Sequence, residues 1–166
     1  MRSLGSFLVL ALLLAALPAA AQTYDWSAVG STGVLVTGVG GYDTTGPTIK
    51  HAGTFRSTLT IRYPVVNTYG SNSSKTPPWT TLTSTYTDDG ASGSVTTRLV
   101  EVDKCSNTET TICTVVSSDG TSAPACSSCT FSSSTMDFAN NTYYVEVKLA
   151  RTNTTALAQI HSVGVN

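Results

Sequence analysis

Strict alternation of apolar and polar residues is the feature that most constrains this chain. In "STLTIRYPVV", Leu59, Ile61 and Tyr63 fall on one face and their neighbours fall on the other. In "TYYVEVKLAR", residues 143, 145, 147 and 149 are apolar and alternate with Tyr144, Glu146, Lys148 and Ala150. A period of two with β-branched and aromatic residues is typical of half-buried β-strands.

Weaker runs of the same kind occupy residues 33–39, 80–87, 95–104, 111–117, 129–136 and 158–165. Turn-forming stretches separate them, among them "GGYDTTGP", "DDGASG" and "SSDGTSAP". No segment after the N-terminus has a convincing helical period. About eight short strands predict an all-β fold, a two-sheet antiparallel β-sandwich that is jelly-roll-like or immunoglobulin-like.

The N-terminus resembles a secretory signal peptide. Arg2 precedes the apolar run "FLVLALLLAALPAAA", and small residues at 19–21 lead into the polar "QTYDW". The apolar run is shorter than the roughly 20 residues that a membrane-spanning helix needs. We expect residues 1–21 to be removed, and 22–166 to form a single secreted domain located outside the cell, at its surface or in the periplasm.

Composition limits the partners. Without Arg2 the chain has eight basic and ten acidic residues, and it has no basic run, so neither nucleic acid nor an anionic membrane is an expected partner. Candidate partners are an extracellular polysaccharide, other surface proteins, or a second copy bound through edge strands. Asn-x-Ser/Thr triplets at Asn72, Asn140 and Asn153 are glycosylation sites only in a eukaryotic host.

All four cysteines lie between residues 105 and 129. Their spacing, Cys105-x7-Cys113-x12-Cys126-x2-Cys129, lacks the two short pairs of a zinc site and the helix of a redox Cys-x-x-Cys motif. Export therefore favours disulfides over a metal or cofactor. A hairpin turn centred on Glu109 would pair Cys105 with Cys113 and leave Cys126 for Cys129, although crossed pairings remain open.

The stretch "SKTPPWTTL" is the best candidate for a ligand site. Two prolines would hold Trp79 in an extended segment, where its ring could stack on a sugar, and Tyr69 and Tyr86 could extend that surface. The alternative is that Trp79 closes one end of the sandwich.

Two other stretches have a functional and an ordinary interpretation. Asp88 and Asp89 could bind Ca²⁺, but Asp-Asp-Gly is more often a turn. The Thr-x-Thr stretches at 58–60, 81–83 and 85–87 could form a threonine ladder for ice or carbohydrate, but they lack a fixed repeat and suit the solvent face of any sheet.

Evidence for catalysis is slight. The chain has no Gly-x-Ser-x-Gly motif, and His51 and His161 have no nucleophile near them in sequence. We therefore expect a non-catalytic protein with a structural, adhesive or assembly role at the cell surface or in the extracellular matrix. The first alternative is a carbohydrate-binding module that uses Trp79, and the second is a small extracellular hydrolase.

Overall fold

The computed structural model describes residues 25–38, 41–52, 54, 56–69, 76–90, 92–118 and 123–166. These residues form a sandwich of two antiparallel sheets, as predicted. Its strands are β1 (Trp26–Val29), β2 (Val34–Thr37), β3 (Tyr42–Thr45), β4 (Thr48–His51), β5 (Thr58–Val65), β6 (Thr81–Asp88), β7 (Gly93–Asp103), β8 (Glu109–Val116), β9 (Ala125–Thr130), β10 (Asn141–Arg151) and β11 (Ala158–Val165).

Sheet I has the strand order β3-β4-β11-β6-β9, and β1 also pairs with β11. Sheet II has the order β2-β5-β10-β7-β8. The two longest strands, β7 and β10, pair side by side over their full length in the middle of sheet II, from Gly93 with Arg151 to Asp103 with Asn141. The candidate site described below lies on these central strands.

The core lies between the sheets and follows the alternation in the sequence. Every second residue of β5 and β10 is buried against the opposite sheet. The largest side chains with almost no exposure are Trp79, Tyr63, Tyr86, Ile49, Leu59, Ile61, Leu82, Leu99, Met136, Leu149 and Ile160. Burial of apolar area of this kind supplies the main driving force for folding, about 25 cal/mol per Å².

The link between the first two strands depends on one glycine. A short 3-10 turn, Gly30–Thr32, follows β1 and packs on β11. A Cβ atom at Gly30 would collide with the carbonyl oxygen of Ile160, so a larger residue would push the turn off the sheet. The buried hydroxyl of Tyr63 donates a hydrogen bond of 2.7 Å to the Gly30 carbonyl and fixes the turn from the core side.

The two clearest alternating runs, at 57–66 and 142–151, match β5 and β10 within one residue, and most of the weaker runs also fall on strands. The run at 158–165 is β11 itself, and the runs at 80–87 and 95–104 match β6 and β7 within two residues. The run at 129–136 is wrong in position, because β9 ends at Thr130. The alternation does not predict β1, β3 or β4, and β3 lies inside the stretch "GGYDTTGP", whose composition predicts a turn.

The cysteine pairing is a correction. The structure joins Cys113 to Cys129, with Cα atoms 6.1 Å apart, and leaves Cys105 and Cys126 as exposed thiols. The bridge connects β8 to β9, which are neighbouring edge strands of the two sheets. It therefore crosses between the sheets rather than closing a hairpin.

The hairpin between β7 and β8 explains why Cys105 does not meet Cys113. Its turn is centred near Cys105 and not on Glu109, because Val102 already pairs with Glu109. The Asp103 carboxylate accepts hydrogen bonds from the backbone amides of Cys105 and Ser106, and Asn107 adopts a positive φ of 56°. Asp and Asn are suited to these turn positions, so the signal was present in "DKCSN".

Cys126 and Cys129 cannot pair because both lie within β9. They are three residues apart in an extended strand and point to opposite faces, which places their Cα atoms roughly 10 Å apart. A disulfide needs Cα atoms within about 7 Å. The predicted bonds Cys105–Cys113 and Cys126–Cys129 are therefore both wrong for this fold.

Two predictions fall outside the described residues. The predicted signal peptide, residues 1–21, and the triplet at Asn72 belong to segments that the structure does not describe. Among the residues that it does describe, no helix has the length and apolar character needed to cross a membrane.

Candidate functional site

Trp79 does not form an exposed platform. Its side chain is 2% exposed and belongs to the hydrophobic core. The ring of Phe138 meets it edge-on, with centroids 6.1 Å apart, and Phe138 in turn packs on Tyr143 at 4.8 Å. The structure thus supports the alternative interpretation, that Trp79 closes one end of the sandwich, and it corrects the prediction of a stacking surface there.

The two tyrosines proposed beside Trp79 also pack on the core. Tyr86 is 2% exposed, and its hydroxyl is 2.9 Å from the Ser127 hydroxyl. Tyr69 is half-buried against the core. A sugar ring would have no open face of Trp79 or Tyr86 on which to stack.

The two histidines make structural hydrogen bonds. The Nε2 atom of His51 lies 2.9 Å from the Leu149 carbonyl oxygen in the opposite sheet, and His51 is 6% exposed. Burial, and then the positive charge of Arg151, lower the pKa of His51, despite an opposing hydrogen bond to Leu149. His161 lies at a β-bulge in β11, where its Nε2 is 2.7 Å from the Thr87 hydroxyl, and burial lowers its pKa.

The Asp-Asp-Gly stretch forms a turn. Asp88 is buried, and its Oδ1 atom accepts a hydrogen bond from the Gly90 amide, where φ is 84°. Within the described ranges, no group of three or more His, Cys, Asp or Glu side chains is arranged to hold a metal ion.

The threonine stretches lie on opposite faces of the sandwich. Thr81, Thr83 and Thr85 point outward from β6 in sheet I, whereas Thr58 and Thr60 point outward from β5 in sheet II. They therefore cannot form one continuous ladder, which agrees with their interpretation as solvent-facing sheet residues.

The outer face of sheet II carries an unusual cluster of charges. We call it the cationic face and define it by five residues of its three central strands: Arg62 on β5, Tyr144, Glu146 and Lys148 on β10, and Arg98 on β7. The pairing register places Glu146 directly between Arg62 and Arg98. These residues are distant in sequence, and only the sheet brings them together.

Glu146 is the centre of this face. Its side chain is 2% exposed although it points away from the core. One carboxylate oxygen, Oε2, accepts a hydrogen bond of 3.0 Å from Nε of Arg62 and forms an ion pair with Nη2 of the same side chain, also at 3.0 Å. The other, Oε1, accepts a hydrogen bond of 3.0 Å from Nε of Arg98 and forms an ion pair with Nη2 of Arg98 at 2.8 Å. Charge-assisted pairs of this kind are the stronger hydrogen bonds in proteins.

The Arg62 guanidinium also stacks on an aromatic ring. Its Cζ atom lies 4.2 Å from the centroid of the Tyr144 ring, which is a cation–π contact. Burial raises the pKa of Tyr144, and the nearby Glu109 carboxylate adds to that rise. The stack holds the planar guanidinium and the ring in fixed positions on the sheet.

Lys148 lies beside the arginine pairs and keeps its donors available. Its Nζ atom is 3.8 Å from Oε1 of Glu146, which is beyond hydrogen-bond distance, and its side chain is 45% exposed. No acceptor in the described part of the chain lies within hydrogen-bond distance of this ammonium group. The register places Thr60 on one side of Lys148 and Thr96 on the other.

Sequence patterning predicted the outward direction of this cluster but not its existence. The alternation already put Arg62, Glu146 and Lys148 on polar faces. Charged residues on three separate strands do not reveal that their side chains are in contact, because the order of the strands cannot be read from one sequence. A row of opposite charges on facing positions would have become visible only after the strand pairing was known.

Sheet I has a second surface feature, a shallow groove of about 290 Å³. Ser27, Thr83, Ser162 and Gly164 contribute to its lining. Gly164 leaves the floor of the groove open, since a Cβ atom there would lie 3.0 Å from the Thr83 hydroxyl oxygen. Among these lining residues there is neither a charged nor an aromatic side chain.

Comparison with known proteins gives distant matches to solved structures. One is a structure of carbohydrate-binding modules from the β-sandwich superfamily, at 11% identity and a TM-score of 0.43, covering 87% of this chain and 55% of that one. This chain therefore spans about half the length of that structure. No family model matches the chain, and no curated protein matches it.

Two further matches are similarly remote. The family 11 carbohydrate-binding module from Clostridium thermocellum, in complex with a β-1,3-1,4-mixed-linked tetrasaccharide, is 10% identical with a TM-score of 0.43, over 84% of this chain and 87% of that one. TmCBM61 in complex with β-1,4-galactotriose is 6% identical with a TM-score of 0.41, over 87% and 88%.

Proposed function

We propose that this protein is a carbohydrate-binding module and that the cationic face is its binding surface. The observation that carries the proposal is the grouping of unused hydrogen-bond donors beside a fixed aromatic–guanidinium stack. The Lys148 ammonium has three donors with no described acceptor, and the Thr60 and Thr96 hydroxyls flank it. A sugar has the complementary groups, since its hydroxyls accept and donate hydrogen bonds.

Rigidity also supports this proposal. The surface is built on the central strands of sheet II, and two arginines hold Glu146 from both sides. The two arginines and Glu146 therefore lose little side-chain freedom when a ligand binds, which favours affinity, whereas the more exposed Lys148 is ordered by the ligand itself. The binding site therefore differs from the one that the sequence suggested at Trp79.

The test is affinity electrophoresis through gels that contain single polysaccharides, followed by titration calorimetry with those that retard the protein. We expect retardation by at least one polysaccharide, and its loss in the variants Lys148→Ala and Thr96→Val. Lys50→Ala is the matched control, because Lys50 pairs with Asp43 at 3.3 Å on the outer face of sheet I. If no polysaccharide retards the protein, or if Lys50→Ala weakens binding as much as Lys148→Ala, the proposal is wrong.

Assembly through an edge is a second candidate function, favoured by exposed apolar side chains. Val34 and Val36 on β2 are 64% and 45% exposed, and Tyr42 on β3 is 48% exposed. Both strands are edges on the side of the sandwich opposite the disulfide. Unprotected edge strands can pair with another strand, here that of a second copy.

Light scattering after size exclusion tests this assembly. An oligomer that Val34→Lys converts to a monomer would support the edge, whereas Val66→Lys, at a residue 57% exposed outside the strands, should leave the oligomer intact. If the wild-type protein stayed monomeric at high concentration, assembly through the β2 and β3 edges would be excluded.

A further inference from the structure

The charges of the cationic face are unbalanced. Arg62, Arg98 and Lys148 contribute three positive charges, against one from Glu146 and one from Glu109, which lies 3.7 Å from Arg62. The five residues that define the face sum to a formal charge of +2, and Glu109 beside it lowers this to +1, on a chain whose total is −1. An excess of positive charge on a rigid surface attracts an anionic ligand and increases its rate of association.

The excess charge is concentrated between two residues. Nη2 of Arg98 and Nζ of Lys148 both approach Oε1 of Glu146, at 2.8 and 3.8 Å, so they can be no more than 6.6 Å from each other. Arg62 is more fully engaged, since it contacts Glu146, Glu109 and the Tyr144 ring. Arg98 and Lys148 therefore hold the positive charge that Glu146 does not neutralise.

We infer that the ligand of this face is a polysaccharide that carries carboxylates, with a uronate group bound by Lys148 and Arg98 on the solvent side of the buried Glu146 carboxylate. This inference rests on the proposed carbohydrate binding and specifies its substrate class. A carboxylate has two oxygens, each of which accepts charge-assisted bonds of about 2.8 Å, so one group can reach both cations. The carboxylates of Glu146 and of the ligand would then together balance the positive charges of Arg62, Arg98 and Lys148.

The neighbouring hydroxyls fit the rest of such a sugar. Thr60 and Thr96 lie directly across from Lys148 in the two adjacent strands and are half-buried, which limits their freedom. Sugar hydroxyls next to the carboxylate can exchange hydrogen bonds with them. A nucleic acid fits less well, because a single cluster of three cations offers few phosphate contacts and the chain as a whole is acidic.

The decisive probe is a pair of polymers that differ at one carbon of each sugar, which carries a carboxylate in one polymer and a neutral hydroxymethyl group in the other. Polygalacturonate and its carboxyl-reduced form share one backbone, and only the first carries carboxylates. We expect the wild-type protein to bind polygalacturonate at least tenfold more tightly than the reduced polymer, and the difference to shrink as salt increases from 50 to 500 mM. Lys148→Gln should lose about tenfold in affinity, which corresponds to one charge-assisted contact.

Controls keep this test informative. Lys50→Gln removes the same charge from sheet I and should bind as the wild type does. Because Arg98 also holds the buried Glu146, Arg98→Lys is preferred to a neutral substitution, and thermal unfolding should verify that each variant is folded. Dextran sulfate is an anionic polysaccharide whose charged groups are sulfates and not carboxylates. We expect the protein to bind it more weakly than polygalacturonate.

The outcomes separate the two proposals. Equal binding to the charged and reduced polymers, with loss in Thr96→Val, would overturn the uronate and leave carbohydrate binding intact. If the protein bound dextran sulfate as tightly as polygalacturonate, or more tightly, the inference that the face recognises a carboxylate would be wrong. If a wider panel of neutral and acidic polysaccharides shows no binding at all, both proposals are wrong.

Discussion

Cys113 on β8 and Cys129 on β9 join the edge strands of the two sheets, with 6.1 Å between their Cα atoms. The bridge lies where each sheet ends on the same side, so it resists separation of the sheets at that edge. Its two companions, Cys105 and Cys126, are exposed and free. Alkylating reagents can therefore distinguish the two free thiols from the two bonded cysteines.

Alkylation without reductant should modify two cysteines per chain. We expect peptide mapping to place the label on Cys105 and Cys126, and to recover Cys113 and Cys129 in one cross-linked fragment that separates after reduction. Recovery of a fragment that links Cys126 to Cys129 would contradict the fold, because these residues point to opposite faces of β9.

Trp79→Ala should reduce stability rather than ligand binding. Removing the ring leaves a cavity beside Phe138 at the end of the core, which costs about 3–5 kcal/mol. Urea denaturation measures this loss, and Trp79→Phe should recover part of it because an aromatic ring still fills the space. A variant that keeps wild-type stability and loses polysaccharide binding would restore Trp79 as a site residue.

Glu146→Gln should destabilise the protein by about 2 kcal/mol, since it keeps the shape of the side chain but removes the charge that both arginines bind. The arginine side chains are about one-third exposed, so solvent screens part of the interaction and limits the loss. Chemical denaturation at low and high salt checks the effect. The difference between variant and wild type should narrow at high salt, and a difference that is independent of salt would argue against an electrostatic origin.

Stability should decrease as the pH falls below about 6.5, the ordinary pKa of histidine. Burial and the charge of Arg151 lower the pKa of His51 in the folded state, so the unfolded chain binds the proton more readily. The contribution is fully present above pH 6.5 and is lost as the pH falls toward the lowered pKa. Denaturation curves at pH 7.5 and 5.0 measure it.

His51→Gln is the matched variant for this pH dependence. Its amide can still donate to the Leu149 carbonyl, but it does not titrate, so the loss between pH 7.5 and 5.0 should be smaller than in the wild type. His161, whose pKa is also lowered by burial, should supply the remaining loss, and His51→Gln with His161→Gln should reduce it further. An unchanged pH dependence in the double variant would assign the effect to other groups.

The parts of the fold that the sequence predicted are those with a local signal. The alternation in β5 and β10 placed Leu59 and Val145 inside and Arg62 and Glu146 outside, and the structure agrees. The short strand β3 had no such signal, because "YDTT" is polar and lies at an edge where only one neighbour pairs with it. A symmetric turn about Glu109 predicts the wrong position for the turn around Cys105, although Asp103 and Asn107 mark its true position.

The candidate site could be predicted only in part, because only the outward direction of its side chains has a local signal in the sequence. Sequence favoured Trp79 because an aromatic residue after two prolines resembles a presented surface, but it cannot tell which side of the chain faces the core. The structure turns that ring inward toward Phe138 and leaves the outward positions of three distant strands to form the cationic face.

The sequence by itself determined the fold class and the face of each long strand, because a period of two is a property of neighbouring residues and their burial. The tertiary structure alone decided which strands lie side by side. It thereby brought Arg62, Glu146 and Arg98 into one row and Cys113 against Cys129. The physical reason is that pairing between strands depends on hydrogen bonds and packing across the whole sandwich. Neighbouring residues in the sequence do not specify these long-range contacts.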